Sequence, residues 1–275
     1  MPSPLDIARE AAVAGGEVLI RRAGHVGTIR TKSSASDLVT EVDIASGVAV
    51  ARAIAAHQPD ARFVIEEPEV YAQAGVEQGV LDDAEVWVID PLDGTTSYVH
   101  GFPAYSVSVA LLRDGRPVAG AVFNAASGEM SAAADGEGAT LDGRPIRCSQ
   151  AASIAEALLI TGFPYDRTVT LDRQLAVFTR MLRTVHGVRR DGSGAIDCCH
   201  VAAGRADGFW EFALKPWDTA AGVVILREAG AVVTDMTGAP WTPGTADHVA
   251  AGPRLHPILL EAIAAASAEG WPPRS

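Results

Sequence analysis

The run WVIDPLDGTTSYVHGFP, Trp87 to Pro103, constrains this chain more than any other stretch. An apolar strand ends in Asp90, a proline follows, and a second aspartate stands three positions on at Asp93, directly before Gly94, Thr95 and Thr96. This order predicts a proline-stiffened turn after a strand and then a helix start. Carboxylates are hard oxygen ligands suited to Mg²⁺, which shares its shell with water and phosphate. The first turn of a helix offers backbone N–H groups to an anion. The segment therefore reads as a place to hold metal ions and a phosphate together.

The other elements follow from hydrophobic period and turn signals. Leu5 to Arg22 repeats at helical spacing behind Pro4. TEVD predicts a second helix capped by Thr40, with Asp43 returning the bond, and it ends near His57 before Pro59. Arg62 to Ile65 and Glu85 to Ile89 read as buried strands that end in carboxylates, Glu66 and Glu67 in one case and Asp90 in the other. Tyr105 to Leu112, Pro117 to Phe123 and Met130 to Ala134 predict antiparallel strands joined at RDGR and NAASG. The glycine-rich run GEGATLDGRPIRCSQAAS is the candidate junction between an α+β half, residues 1–149, and an α/β half, residues 150–275. In the second half, strands at Leu158 to Thr161, Val188 to Arg190 and Gly208 to Phe212 alternate with helices at Thr170 to Thr184, Ala195 to Ala203 and Thr219 to Glu228. Strands at Ala231 to Thr234 and near Val249, then a helix from Pro257 to Ala268, complete it.

Composition narrows the function classes. Of 275 residues, 48% are hydrophobic and 20% charged, as in an ordinary globular chain, so disorder is not expected. The net charge of −12 disfavours nucleic-acid and anionic-membrane surfaces, and it means that a phosphate ester would need cations beside it. Three cysteines in a chain of this size predict reduced thiols, with Cys198 and Cys199 in the core. Neither a signal-like leader nor a membrane-length apolar run is present, which predicts a soluble cytoplasmic protein. There is no GxxxxGK[ST] loop or HExxH pair, and DGSGA does not make a GxSxG elbow.

Each carboxylate alone has a plain structural reading. DPLDG is turn chemistry, Glu66 and Glu67 suit an exposed pair, Asp218 suits an N-cap and Asp43 half a capping box. Together, Glu66, Asp90, Asp93 and Asp218 stand at strand-to-loop or loop-to-helix junctions, where α/β layers place their sites. If they converge, they supply oxygens for two ions roughly 3.5–4 Å apart.

DLVTEVD, the paired glutamates, WVIDPLDGTTSYVHGFP, RRDGSGAIDCCHVAAGRADGFWE and WDTAAGVVILREAGAVVTDMTG, in this order, resemble the inositol monophosphatase family of Mg²⁺-dependent, lithium-sensitive phosphatases. The resemblance runs from about Lys32 to Gly238. It implies a five-layer αβαβα sandwich, a homodimer, two or three Mg²⁺ ions and hydrolysis of a small polyol phosphate, most directly inositol 1-phosphate.

By this resemblance, Glu66, Asp90 and the Leu92 carbonyl hold one ion, and Asp90, Asp93 and Asp218 the other. Glu66 and Thr95 activate the attacking water, with Thr95 oriented by Asp43, and no covalent phosphoenzyme forms. Backbone N–H groups of Gly94, Thr95 and Thr96 bind the phosphate. Gly192, Ser193, Gly194 and Glu211 line the polyol side, and Lys32 matches a lysine near the metals.

The chain departs from the family pattern in a few places. Ser97 and Tyr98 stand for a usual Asn and Phe, Ile65 for a Gly, and Gly194 for an Ala, which takes a methyl off the substrate wall. A histidinol phosphatase, a fructose bisphosphatase and a 3′-phosphoadenosine phosphatase share the scaffold, although GTT rather than GTK favours inositol phosphate. A reading of another class is a regulatory protein that keeps the fold and binds RNA or transcription factors.

Overall fold

The computed structural model describes residues 2–32, 38–164 and 170–269; Asp37 of DLVTEVD lies outside these. Helix α1 (Pro4–Arg22) opens on a reciprocal cap between Ser3 and Asp6, with proline in its first turn. Strands β1 (Ile29–Thr31) and β2 (Leu38–Thr40) form an antiparallel pair ahead of helix α2 (Glu41–His57). Thr40 and Asp43 close the capping box that TEVD predicts.

The chain then builds an eight-stranded sheet. Its strands are β3 (Arg62–Ile65), β4 (Glu77–Gln78), β5 (Glu85–Asp93), β6 (Ser106–Arg113), β7 (Arg116–Asn124), β8 (Glu129–Ala134), β9 (Gly138–Leu141) and β10 (Arg144–Pro145). They lie in the order β10-β9-β8-β7-β6-β5-β3-β4. Helix α3 (Glu69–Ala74) precedes β4, and helix α4 (Thr95–His100) follows β5. The antiparallel β6, β7 and β8 appear as expected. The glycine-rich run carries regular structure of its own. Its first half forms the β9–β10 hairpin that finishes the sheet edge, because Asp142 and Gly143, both at positive φ, supply the left-handed turn a hairpin needs.

The smaller sheet comprises β11 (Leu158–Thr161), β12 (Gly187–Arg189), β13 (Gly208–Glu211), β14 (Val232–Thr234) and β15 (His248–Ala251), in the order β12-β11-β13-β15-β14. Helices α5 (Leu171–Thr184), α6 (Gly194–Ala202), α7 (Pro216–Glu228) and α8 (His256–Glu269) complete the α/β alternation.

Five layers result. Helices α1 and α2 cover one face of the large sheet, α6 and α7 lie between the sheets, and α5 and α8 cover the far face of the small one. Strand β5 shows why its sequence is apolar throughout. Trp87 and Ile89 enter the core beneath α1 and α2, while Val86 and Val88 enter the central core with Ala220, Ala221 and Val224 of α7. A strand buried on both faces reads as a continuous hydrophobic run. Small residues let α6 and α7 approach, since a Cβ on Gly222 would lie 2.6 Å from that of Cys198. Glu228, at the end of α7, accepts from the N–H groups of Gly136 and Gly138, and Arg147 donates to its carbonyl. Helix α7 is thereby stapled to the β8–β9 turn. Cys148, Cys198 and Cys199 are buried free thiols, and among the described residues no helix is long and apolar enough to cross a membrane.

Candidate active site

The site forms where the C-terminal end of β5 meets the N-terminal ends of α4 and α6. Strand β5 does not stop at Asp90 for a turn. It continues to Asp93 through a bulge, with Asp90 opposite Ser108 and Asp93 opposite Ser106. A bulge re-aims side chains without ending the strand, and here it leaves Asp90 and Asp93 on the floor between the layers. Gly94 then turns left-handed at φ 88°, and a Cβ there would strike the Ala104 carbonyl at 2.6 Å. Only glycine fits that turn. It starts α4, so Thr95 and Thr96 occupy a first helical turn whose N–H groups lack intrahelical partners.

The catalytic trio of the sequence reading is partly assembled. Thr95 Oγ1 lies 3.1 Å from Asp43 Oδ1 and 3.0 Å from the Leu92 carbonyl, joining the α2 cap to the DPLDG segment. Glu66 is fixed to β5 by its N–H bond to the Ile89 carbonyl. Lys32 ion-pairs with Glu66 at 2.7 Å and also with Glu67. Glu67 is buried rather than half of an exposed pair. Burial first, then the charge of Glu66, raises its carboxyl to about 7.

The two halves meet at Asp93. Its Oδ2 accepts from Ser193 Oγ at 2.6 Å and from the Ala195 N–H at 2.8 Å, so the N-terminus of α6 is docked on it. Ser193, read as a wall residue, shapes the wall by holding Asp93. Asp218 is not the N-cap of α7. The helix starts two residues earlier at Pro216, and Asp218 Oδ2 accepts from the Lys215 N–H at 2.7 Å from within the first turn. Asp90 Oδ1 accepts from the Leu92 N–H at 3.0 Å.

These carboxyls sense one another. Burial, then the charges of Glu66, Asp93 and Asp218, raises Asp90 well above the carboxylate range. Asp218 is raised likewise by burial and then by Asp93 and Glu66, and burial lifts Asp93 to about 6 against the pull of Ser193. Like charges around the buried Asp90 that destabilise one another, with oxygen as the sole donor type, fit a hard divalent cation such as Mg²⁺. Among the described residues, no three His, Cys, Asp or Glu side chains yet stand in a ligating arrangement. Asp93, Asp218, Asp90 and Glu66 each rest on a separate donor. The carboxyls lie within electrostatic reach of one another but short of a ligating arrangement.

On the other side, Gly192 approaches the β5–α4 turn: its carbonyl would lie 3.3 Å from a Cβ on Gly94. Glu211, at the end of β13, is 7% exposed, and its Oε2 has no hydrogen-bond partner among the described residues. It is not the surface glutamate that a strand end suggests. Sequence reasoning missed Asp197, which is fully buried in α6 with both carboxyl oxygens unpartnered among the described residues. An ionisable residue inside the apolar run GAIDCCHVA was the available signal.

The layered fold with its carboxylate-lined floor, helix start for an anion and buried acceptor opposite defines a phosphoric monoester hydrolase. The inositol monophosphatase family model matches residues 2–270, and the chain belongs to that family. It is 41% identical to an inositol-1-monophosphatase of Synechocystis sp., over 95% of this chain and 88% of that one. It is 38% identical to a putative Nus factor SuhB of Neisseria meningitidis, over 95% and 98%. The inositol monophosphatase structure from Anabaena (Nostoc) sp. superposes with a TM-score of 0.83 at 39% identity, covering 95% of both chains.

Proposed function

We propose that this chain hydrolyses inositol 1-phosphate, or a similarly small polyol monophosphate, with two or three Mg²⁺ ions as cofactor. The observation that carries this is that Asp90, Asp93 and Asp218 lie within reach of one another's charge and of the Glu66 charge, with Asp90 buried and beside the Thr95–Asp43 pair. Glu66, Asp90, Asp93, Asp218 and the Leu92 carbonyl are the proposed ligands. When bound, the ions would offset phosphate charge and make water easier to deprotonate.

The chain's own groups do the rest. Gly94, Thr95 and Thr96 present backbone N–H groups to the phosphate oxygens. Glu66 and the Thr95 hydroxyl, the latter oriented by Asp43, draw the proton from an in-line water. Gly192, Gly194 and Glu211 border the departing alcohol, and Glu211 accepts from its hydroxyls. We place the protein in the cytoplasm as a homodimer, a state that light scattering would read directly.

The test is phosphate release from a panel of monophosphates with and without Mg²⁺, repeated with Asp93→Asn. We expect Mg²⁺-dependent release that the substitution abolishes. Release indifferent to both would overturn the proposal. The relatives named as Nus factors, at similar identity and coverage, support a second reading in which the chain also binds a transcription partner. The acidic net charge favours a protein over RNA in that role. Retention of RNA polymerase by Asp93→Asn would separate it from hydrolysis, and no retention by either form would remove it.

A further inference from the structure

Helix α4 is six residues long, and a helix this short is held by what it packs on rather than by its own hydrogen bonds. Two of its side chains are buried, Thr95 and Tyr98. The Thr95 hydroxyl meets Asp43 and the Leu92 carbonyl, and the proposed reaction engages it. Docking of the helix therefore falls on Tyr98.

Tyr98 is 2% exposed. Its N–H donates to the Gly94 carbonyl at 3.0 Å and closes the turn that contains Thr95. Its ring stands edge-on to that of Tyr105, with centroids 4.9 Å apart. Its hydroxyl donates to the Leu19 carbonyl at 2.8 Å, 79 positions away in the chain. Burial first, then Tyr105 and Asp43, pushes the phenol up to about 12, so the hydroxyl keeps the proton it donates.

The carbonyl it reaches needs a donor. Leu19 lies in the last turn of α1, where carbonyls lack intrahelical partners. The Ala23 N–H, which would complete the helical pattern at Leu19, turns instead to the Ile20 carbonyl at 3.4 Å. Leu19 is fully buried, and an unmade hydrogen bond there is costly. The frame beyond it has no slack: a Cβ on Gly15 of α1 would lie 2.7 Å from a Val50 methyl of α2. Helix α2 carries Asp43 in its cap. Tyr98 thus refers α4 to the same pair of helices that presents Asp43 to Thr95.

We propose that Tyr98 is a positioning residue for the hydrolysis: by donating to the Leu19 carbonyl, its hydroxyl fixes α4 on the α1–α2 frame and so holds the Thr95 hydroxyl on Asp43. This deepens the functional reading above and rests on the role given there to Thr95.

The test is a double-mutant cycle on kcat with inositol 1-phosphate and Mg²⁺. Tyr98→Phe keeps the ring and removes the bond to Leu19. It is expected to lower kcat about tenfold with KM within about twofold, the scale of a small misplacement of a reacting group. In a Thr95→Ala background the same change is expected to cost nothing further, because residues that act through one another are not additive. Tyr98→4-aminophenylalanine returns an N–H donor to the Leu19 carbonyl and is expected to restore most of kcat. A kcat indifferent to Tyr98→Phe, an equal loss in both backgrounds, or no recovery with the amine would overturn the inference and leave the phosphatase reading intact. Loss of the folded circular dichroism spectrum in Tyr98→Phe would overturn it too, by making the bond a matter of stability alone. If Thr95→Ala by itself left kcat unchanged, Thr95 would leave the reaction and the inference would fall with it. A wild-type chain that releases phosphate from no monophosphate, with Mg²⁺ present, would overturn the phosphatase reading itself.

Discussion

At the DPLDGTT end of the cleft every carboxylate leans on a named donor: Asp93 on Ser193 and Ala195, Asp218 on Lys215, Asp90 on Leu92, Asp43 on Thr40. At the opposite end, three buried oxygens, both of Asp197 and Oε2 of Glu211, have none among the described residues. Leaving a buried polar group unpaired costs about 1–3 kcal/mol, so such atoms persist where a ligand or water completes them. The reacting end satisfies its carboxylates with the chain's own donors until a ligand replaces them. The alcohol end waits for its partner. Under the proposed function, reaction type and substrate choice would be held by different parts of the chain, and each could be perturbed separately.

If the division holds, Asp93→Asn should be the most damaging change. Loss of several kcal/mol of transition-state stabilisation corresponds to a fall in kcat on the order of 10³-fold, read by phosphate release at saturating substrate with an unchanged circular dichroism spectrum. Thr95→Ala should follow, with kcat lower by roughly 10²-fold, the usual scale of acid–base assistance, and KM nearly constant. A matching fall in KM would instead place Thr95 in ground-state strain.

The alcohol end should be the acid-sensitive one. His248 stands opposite Glu211 in the β13–β15 ladder, and its Nε2–H donates to the Thr245 carbonyl. Burial lowers its pKa to about 4. The unfolded chain then binds a proton that the folded chain refuses. This contribution is complete above about pH 6.5 and is lost as pH falls toward 4, by up to about 3 kcal/mol. Urea unfolding at pH 7 and pH 4.5 would show it, and His248→Gln should flatten that part of the profile. The smallest effect expected is that of Glu211→Gln. A tenfold rise in KM, about one hydrogen bond, should come with little change in kcat. A collapse of kcat would break the comparison, because it would put Glu211 among the reacting groups.

Much of this was legible in the residues. Thr40 and Asp43 announced the α2 cap, and the apolar runs announced β3 and β5. What escaped depended on partners distant in the chain. The bulge that carries β5 through Asp93 is set by pairing with Ser106 and Ser108 of β6. The glycine-rich run became a hairpin because β8 offered it an edge. Burial of Glu67 follows from Lys32, some 35 positions earlier, and Asp218 moved inside its helix because Pro216 fits the first turn. The unpartnered state of Asp197 among the described residues exists only once the sheets are packed on α6.

The placement of α7 has a consequence for how this molecule can change over generations. One helix serves as the lining of both sheets, and its last residues are sewn to the β8–β9 turn by Glu228. A gene divided near codon 150 would give two products, each with a bare apolar face and neither with a complete set of acidic groups. Shuffling, duplication or loss of one half offers no working intermediate. The lineage can diversify residue by residue around Gly194 and Glu211, while the two halves are inherited as one.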